Sequence, residues 1–536
     1  MKLRLICFLL VVTSLTASAQ SNETYRGLLT AQVRSPKTGT PQHLHDYVVD
    51  GKLKLGLHDA VVLALENNSA IRVQESSVEA AKFGLLRSFQ AFDPGLKALL
   101  SVSRSSYPGF SQIQGAGTFS GLTQQAQLNY TQTLVTGTNL QIGINSIKDS
   151  SNSGFYFLNP YYRSFLNLQV TQPLLRNGWR FANTAPVVIA RTNFQQSRAT
   201  FQAQVNLALL EAITRYWGLV RAHNGLDVAR KSQQAAEATY QHDKRSLELG
   251  ALPPLDIYRS EAEVASRRLQ VIQADYIVKQ AEESLRFTIG ANQDPYIEAL
   301  DIDATEKPEP QGELLTVNNA TALEEALERR PELLAWQQSL AVDDTNIRLA
   351  HNQLLPDLEL EAFYQGSGVG GNLNVGGVMT RGGLMTSLNQ LFNFGFPGYG
   401  ATLTLNLPIK NRGGQAGLGT ALVNRHRDLY SAQQAREQIK QEVANAVHQL
   451  EQAKLSIAAG RTALDLAQKT LDAEHRKAQL GAENVFFELD AQTKLATAEA
   501  ALLESEVDYQ TAIATLHTVT GSLLQDYDIQ ISELTK

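Results

Sequence analysis

The sequence predicts a mainly α-helical, exported chain that also carries membrane-type β-strands. Three observations lead there. Apolar residues recur in heptads over very long stretches, short segments elsewhere alternate strictly between apolar and polar residues, and the whole pattern occurs twice.

The duplication organises everything else. Shifted by 262 residues, Ala64-Leu65-Glu66 falls on Ala326-Leu327-Glu328 and Pro94 falls on Pro356. Shifted by 231, Glu211 meets Glu442, Leu219 meets Leu450, Leu249-Gly250-Ala251 meets Leu480-Gly481-Ala482, and Gly290 meets Gly521. The two shifts differ, so the segment between the helices is longer in the first copy. Each copy predicts a helix ending at a proline (57–91 and 322–354), a β-like stretch, a very long helix (187–248 and 415–479), and a last helix (255–289 and 485–520).

Heptads support these helices. Leu450, Ile457, Leu464, Leu471 and Ala478 recur at every seventh position, with Val443 and Val447 ahead of them. Leu255, Tyr258, Ala262, Ala265, Leu269, Ile272 and Tyr276 alternate by three and four, a seam that predicts side-by-side helix packing. A helix of this length extends roughly 90–100 Å at 1.5 Å per residue, far more than a bilayer's thickness. The shorter helices of a copy, end to end, match it, so four parallel strips are expected to stand in water.

The strands alternate with period two. Leu166, Leu168 and Val170 oppose Asn167, Gln169 and Thr171; Leu403, Leu405 and Leu407 oppose Thr402, Thr404 and Asn406. Leu358, Leu360 and Ala362 oppose Asp357, Glu359 and Glu361, which places those three acids on the water-facing, lumen side of a barrel wall. A soluble sheet with one buried face alternates identically, and the export signal, long helices and repeat favour the membrane. Four such strands cannot close a barrel, so the barrel is expected to be shared between chains. Between Leu96 and Pro173 two further segments alternate, 126–134 and 138–145, joined at Thr136-Gly137. They either widen the barrel to six strands per chain or form a hairpin above the membrane. The second reading is preferred, because the second copy shows no equivalent.

Lys2 and Arg4, the apolar run from Leu5 to Val12, and Ala17-Ser18-Ala19 form an export signal that leaves Gln20 as the first mature residue. Cys7, the single cysteine, falls inside it, so disulfides and thiolate metal sites are not expected. A net charge of −6 over 536 residues argues against a nucleic-acid partner. The expected division is signal 1–19, extended segment 20–52, first repeat 53–299, Pro-containing linker 300–320, second repeat 321–524 and tail 525–536.

With these features the chain resembles the TolC family of outer-membrane efflux and secretion channels. The resemblance rests on the element order repeated twice, on Gln172-Pro173-Leu174-Leu175-Arg176-Asn177-Gly178 at the strand-to-helix junction, and on the tips Leu249-Gly250 and Leu480-Gly481. It implies a homotrimer with a twelve-stranded barrel in outer-membrane lipid and a coiled-coil tunnel in the periplasm. It also implies that the tips dock a periplasmic adaptor protein and an inner-membrane transporter. Family tips carry aspartates that narrow the periplasmic mouth. Asp256, six residues after Gly250, matches; in the second tip Phe487 stands at plus six and Asp490 at plus nine, with Glu488 between. Asp256, Glu488 and Asp490 are thus gate candidates, against the plainer reading of solvated acids near a helix start.

No nucleophile-elbow, Walker or zinc-protease motif appears, and no enzyme activity or cofactor is expected. Gly366-Ser367-Gly368-Val369-Gly370-Gly371 satisfies GxGxxG but precedes no helix and reads as a loop, as does the region of Met379 and Met385. His43 and His45 read as surface histidines. Three functions remain: the exit duct of a tripartite efflux pump, the duct of a type I protein-secretion system, or a soluble periplasmic coiled-coil protein. Efflux is preferred as the commoner use of the family.

Overall fold

The computed structural model describes residues 43–109, 117–154, 156–249, 255–375, 378–479, 485–527 and 529; the expected export signal at 1–19 lies outside them. In chain order, β1 (Val48–Val49) and β2 (Lys52–Leu55) precede α1 (Leu57–Asn67) and α2 (Ser69–Ser88). Then come β3 (Gly95–Pro108), β4 (Thr118–Thr133), β5 (Asn139–Ser151) and β6 (Leu158–Pro173), followed by α3 (Arg180–Glu248) and α4 (Asp256–Ile289). After β7 (Ile302–Ala304) the second copy runs through α5 (Asn319–Arg329), α6 (Pro331–Gln353), β8 (Asp357–Val375) and β9 (Val378–Thr380). It ends with α7 (Leu384–Phe392), β10 (Pro397–Asn406), α8 (Arg412–Gln479) and α9 (Val485–Thr520).

The long helices reach 69 and 68 residues. The helices expected over 57–91 and 322–354 are each broken in two, at positions 262 residues apart. Asn68 and Arg330 both adopt φ −65° and ψ 120°, and each donates its N–H to the carbonyl four residues back, on Ala64 and Ala326. The causes are local. Pro331 suits a first helical position but not an interior one. The Asn68 side chain accepts from the Ala70 N–H at 2.9 Å and so starts α2.

Residue contacts divide the chain into two compact units. One comprises the described residues within Gln32–Ala80, Gln195–Gln337 and Tyr430–Lys536. In its second-copy half, Ala326 of α5, Val443 and Leu450 of α8, and Ala512 of α9 are fully buried in one cluster. In its first-copy half, Ala222 and Leu226 of α3 pack on Val278 of α4. A small sheet of order β1-β2-β7, with β2 and β7 parallel, lies against α3. There the Tyr216 hydroxyl donates to the Leu55 carbonyl and accepts from the Glu306 N–H, both at 3.2 Å. Burial pushes that hydroxyl's pKa up to about 12.

The other unit comprises the described residues within Ala81–Phe194 and Gln338–Leu429 and holds the main sheet. Its order is β10-β8-β6-β5-β4-β3, every neighbour antiparallel, with short β9 off β8. The hairpin preferred as an extracellular extension proves to be part of this wall. Thr131 pairs with Gly95 on one side and Gln141 on the other, and Gln141 pairs with Gln169, so β4 and β5 run level with β3 and β6. The turn is at the helical end of the sheet: a Cβ on Gly137 (φ 85°) would meet the Asn177 carbonyl and the Asn183 amide, both at 2.6 Å. The chain therefore holds six long strands in this sheet, not four.

Register sorts the side chains onto two faces. Leu96, Tyr130, Ile142, Leu168, Tyr364 and Tyr399 form one row across all six strands. One residue further along, Thr131, Gln141 and Gln169 make a polar row on the opposite face. The GxGxxG stretch is a second correction. It is extended within β8 and not a loop, and Met385 lies on the helix α7.

Candidate functional site

The polar face of the sheet carries the expected lumen acids. Asp357 is ion-paired to Arg176 at 2.6 Å, where β6 hands over to α3. Glu359 and Glu361, further along the same face of β8, have no ion-pair partner among the described residues. Glu361 joins Thr131, Gln141, Asn167 and Gln169 around one shallow depression. Such a surface offers hydrogen bonds and negative charge.

In the helices of the same unit, Asp343 of α6 is only 7% exposed, and its Oδ2 is buried without a hydrogen-bond partner among the described residues. Burial, then the nearby Asp428 carboxylate, hold its pKa above the ordinary carboxylate value, with Arg427 opposing. Sequence reading missed this pair, because its members lie on different helices and share no motif.

At the tips, Leu249 is exposed, whereas Gly250, Leu480 and Gly481 lie outside the described residues. Asp256 is the first residue of α4. Glu488 stands in the first turn of α9 and pairs with His475 at 2.9 Å. Asp490 pairs with Lys494 one turn on, at 2.6 Å, so part of its charge is offset within its own helix. The three gate candidates thus lie within the first two turns of their helices, and intrachain partners offset the charge of two of them.

The structure adds polar ties near these ends that the sequence did not single out. Asp243 of α3, 1% exposed, accepts from the Ser260 hydroxyl of α4 at 2.7 Å. Arg267 of α4 donates to the Thr493 hydroxyl of α9 and is held by Glu263 at 2.6 Å. Gln492 of α9 donates to the Thr239 hydroxyl of α3 at 3.4 Å. Polar residues at spacings where apolar ones were expected were the available signal. The helix carrying Glu488 and Asp490 is therefore fastened to both α3 and α4.

The heptad seam of α4 faces outward from the chain's own helices. Tyr258, Leu269, Ile272 and Tyr276 are exposed by 66, 55, 61 and 68%, while Ser260, Arg267, Val278 and Leu285 face the chain's own helices. The stripe is apolar and regular, yet nothing among the described residues covers it. His45 pairs with Asp294 at 2.8 Å. Among the described residues no group of three His, Cys, Asp or Glu could hold a metal ion, and no helix is long and apolar enough to cross a membrane.

Residues 322–522 match the family model "Outer membrane efflux protein". The chain is 26% identical over 313 residues to the outer membrane protein TolC of Escherichia coli, a match covering 56% of this chain and 59% of TolC. It is 23% identical over 363 residues to the outer membrane efflux protein BepC of Brucella suis, covering 67% of this chain and 73% of BepC. Among solved structures, the CmeC outer membrane channel of Campylobacter jejuni aligns with a TM-score of 0.64 at 16% identity, covering 95% of this chain and 94% of CmeC. The likeness of fold thus extends through both repeats, beyond the segment that the family model matches.

Proposed function

We propose that this chain, whose residues 322–522 match the outer membrane efflux protein model, is the outer-membrane channel subunit of a tripartite efflux pump. The observation that carries this reading is the six-stranded sheet with one apolar and one polar face, whose edge strands β3 and β10 each pair on one side only among the described residues. Unpaired edges are not left open in a membrane. Closing β3 of one copy on β10 of the next, in three copies of six strands, gives an eighteen-stranded ring with apolar residues toward lipid and Glu359 and Glu361 toward the lumen. The exposed α4 stripe supports the same assembly, because heptad-spaced apolar residues on a water-borne helix need a neighbour. A periplasmic adaptor and an inner-membrane transporter would complete the pump at the tips around Leu249-Gly250 and Leu480-Gly481, where acids at 256, 488 and 490 narrow the mouth.

The test is deletion of the gene in its host, with intracellular accumulation of a hydrophobic cationic dye as readout. Accumulation should rise several-fold and fall again on complementation. Unchanged accumulation with loss of a secreted protein would replace efflux with type I secretion.

A further inference from the structure

The short helix α7 was not anticipated, and its position gives it a role. Gly366, Gly368 and Gly370 alternate on the same face of β8 as Leu358, Leu360, Ala362 and Tyr364. A Cβ on Gly368 would lie 2.0 Å from the Ser387 carbonyl oxygen, and one on Gly370 2.4 Å from that of Gly383. Neither glycine is needed for a turn; both are needed for a helix to lie directly on the strand. Ser164 of β6 and Ser387 of α7, each fully buried, share a hydrogen bond of 2.9 Å. The Val369 N–H donates to the Gln390 side chain at 2.9 Å. α7 is therefore built into the sheet, and it covers the apolar face.

We propose that α7 is an interfacial helix that embeds Met385, Phe394 and Phe396 in the outer leaflet of the membrane. The inference rests on the reading above that the apolar face meets lipid. Three observations favour lipid as the occupant. Gly366 lies nine residues along β8 from Asp357, about 30 Å at the usual strand rise, and a barrel strand's tilt reduces this to about 23 Å of height. That is close to the ~25 Å apolar band of such barrels, which puts α7 at the band's outer edge. Met385, Phe394 and Phe396 are exposed by 67, 57 and 60% and continue the apolar face of the strands, while Thr386 and Asn389 are exposed beside them. Finally, the helix LMTSLNQLF contains no charged residue, so it has no ionic means of selecting a protein partner, whereas an apolar surface with hydroxyl and amide groups suits the boundary between acyl chains and headgroups.

Single cysteines test this in the mature protein, whose only natural cysteine belongs to the predicted signal. Met385→Cys, Phe394→Cys, Leu360→Cys and Glu359→Cys are labelled with a small fluorophore and reconstituted as full-length protein in phosphatidylcholine vesicles. Quenchers are lipids spin-labelled near the headgroup or deep in the acyl chain, and aqueous iodide. Labels at 385 and 394 should be quenched at least twofold more by the shallow lipid than by iodide, Leu360→Cys most by the deep lipid, and Glu359→Cys by iodide. Iodide quenching at 385 and 394 with lipid quenching kept at 360 overturns the interfacial helix and leaves the channel reading intact. Iodide quenching at 360 as well overturns the lipid-facing assignment itself, and the helix proposal with it.

Discussion

Gly290, at φ 73°, stands directly on Asn67: a Cβ there would come within 2.9 Å of the Asn67 carbonyl oxygen. The second copy repeats the arrangement with other residues. Gly521, at φ 77°, stands on Arg329, its Cβ position 3.3 Å from that carbonyl oxygen. These partners are related by the same two sequence shifts that revealed the duplication, so each repeat ends its last helix with a left-handed glycine against the end of its first helix. A side chain at such a φ costs about 1–2 kcal/mol before any clash. Gly290→Ala and Gly521→Ala should each lower the unfolding temperature of the purified protein. Gly290→Ala should lower it more, because its Cβ would lie 2.8 Å from Asn67 Cβ, against 3.2 Å for the equivalent contact with Arg329. Absence of a shift at either position would remove the structural equivalence, and equal shifts would contradict the ranking.

The wall of six strands makes a labelling prediction. Leu128 and Ile144 are register partners on the apolar face, and Ile142 shares that face one pair nearer the turn. Leu128→Cys and Ile142→Cys should react with a lipid-soluble maleimide and resist a water-soluble one in intact cells. Ready reaction with the water-soluble reagent at both sites would put β4 and β5 above the membrane.

Asp343 gives a pH dependence with a defined sign. Its pKa is raised from the ordinary 3.8 in the folded chain, so the folded state holds the proton more tightly than the unfolded state does. The resulting stability is present below pH 3.8 and is lost as pH rises through the raised value. Asp343→Asn should therefore raise thermal stability near neutral pH, and the gain should shrink toward zero as pH falls below the ordinary carboxylate value. A gain that persists in acid would show that the carboxylate is not the cause.

At the tip, Asp490→Asn should lower cation selectivity and block by divalent ions in single-channel recordings, since converging acids concentrate cations at a constriction. Lys494→Gln should move both in the opposite direction, because it removes the charge that offsets Asp490. If neither variant alters selectivity, these acids serve only the helix start.

Much of this was legible in the sequence, for identifiable physical reasons. Heptads over dozens of residues overdetermine a helix, so α8, expected over 415–479, occupies Arg412–Gln479. Alternation at 166–170 and 402–407 marked strands, because a one-residue slip would turn every side chain over. What escaped notice depended on contrast or context. Gly366, Gly368 and Gly370 put no side chain on the apolar face, and Ser367 and Val369 between them do not restore a contrast, so β8 lost its period-two signal where α7 covers it. The seam of α4 was correctly recognised as a seam, but a periodicity does not say which chain supplies the partner. Among the site residues, Asp243, Ser260, Arg267 and Thr493 become a set only once three helices are brought together.

Closure of one barrel by three chains through β3 and β10 is open to direct cross-linking. Leu100→Cys on β3 and Leu403→Cys on β10, introduced together, place thiols on the two edge strands and on the same apolar face. A flexible bis-maleimide applied to outer-membrane fractions should then yield covalent dimers and trimers on a denaturing gel, and neither single variant should yield trimers. Doubly substituted protein that links only within a monomer, or that is recovered from the soluble periplasm, would contradict the account.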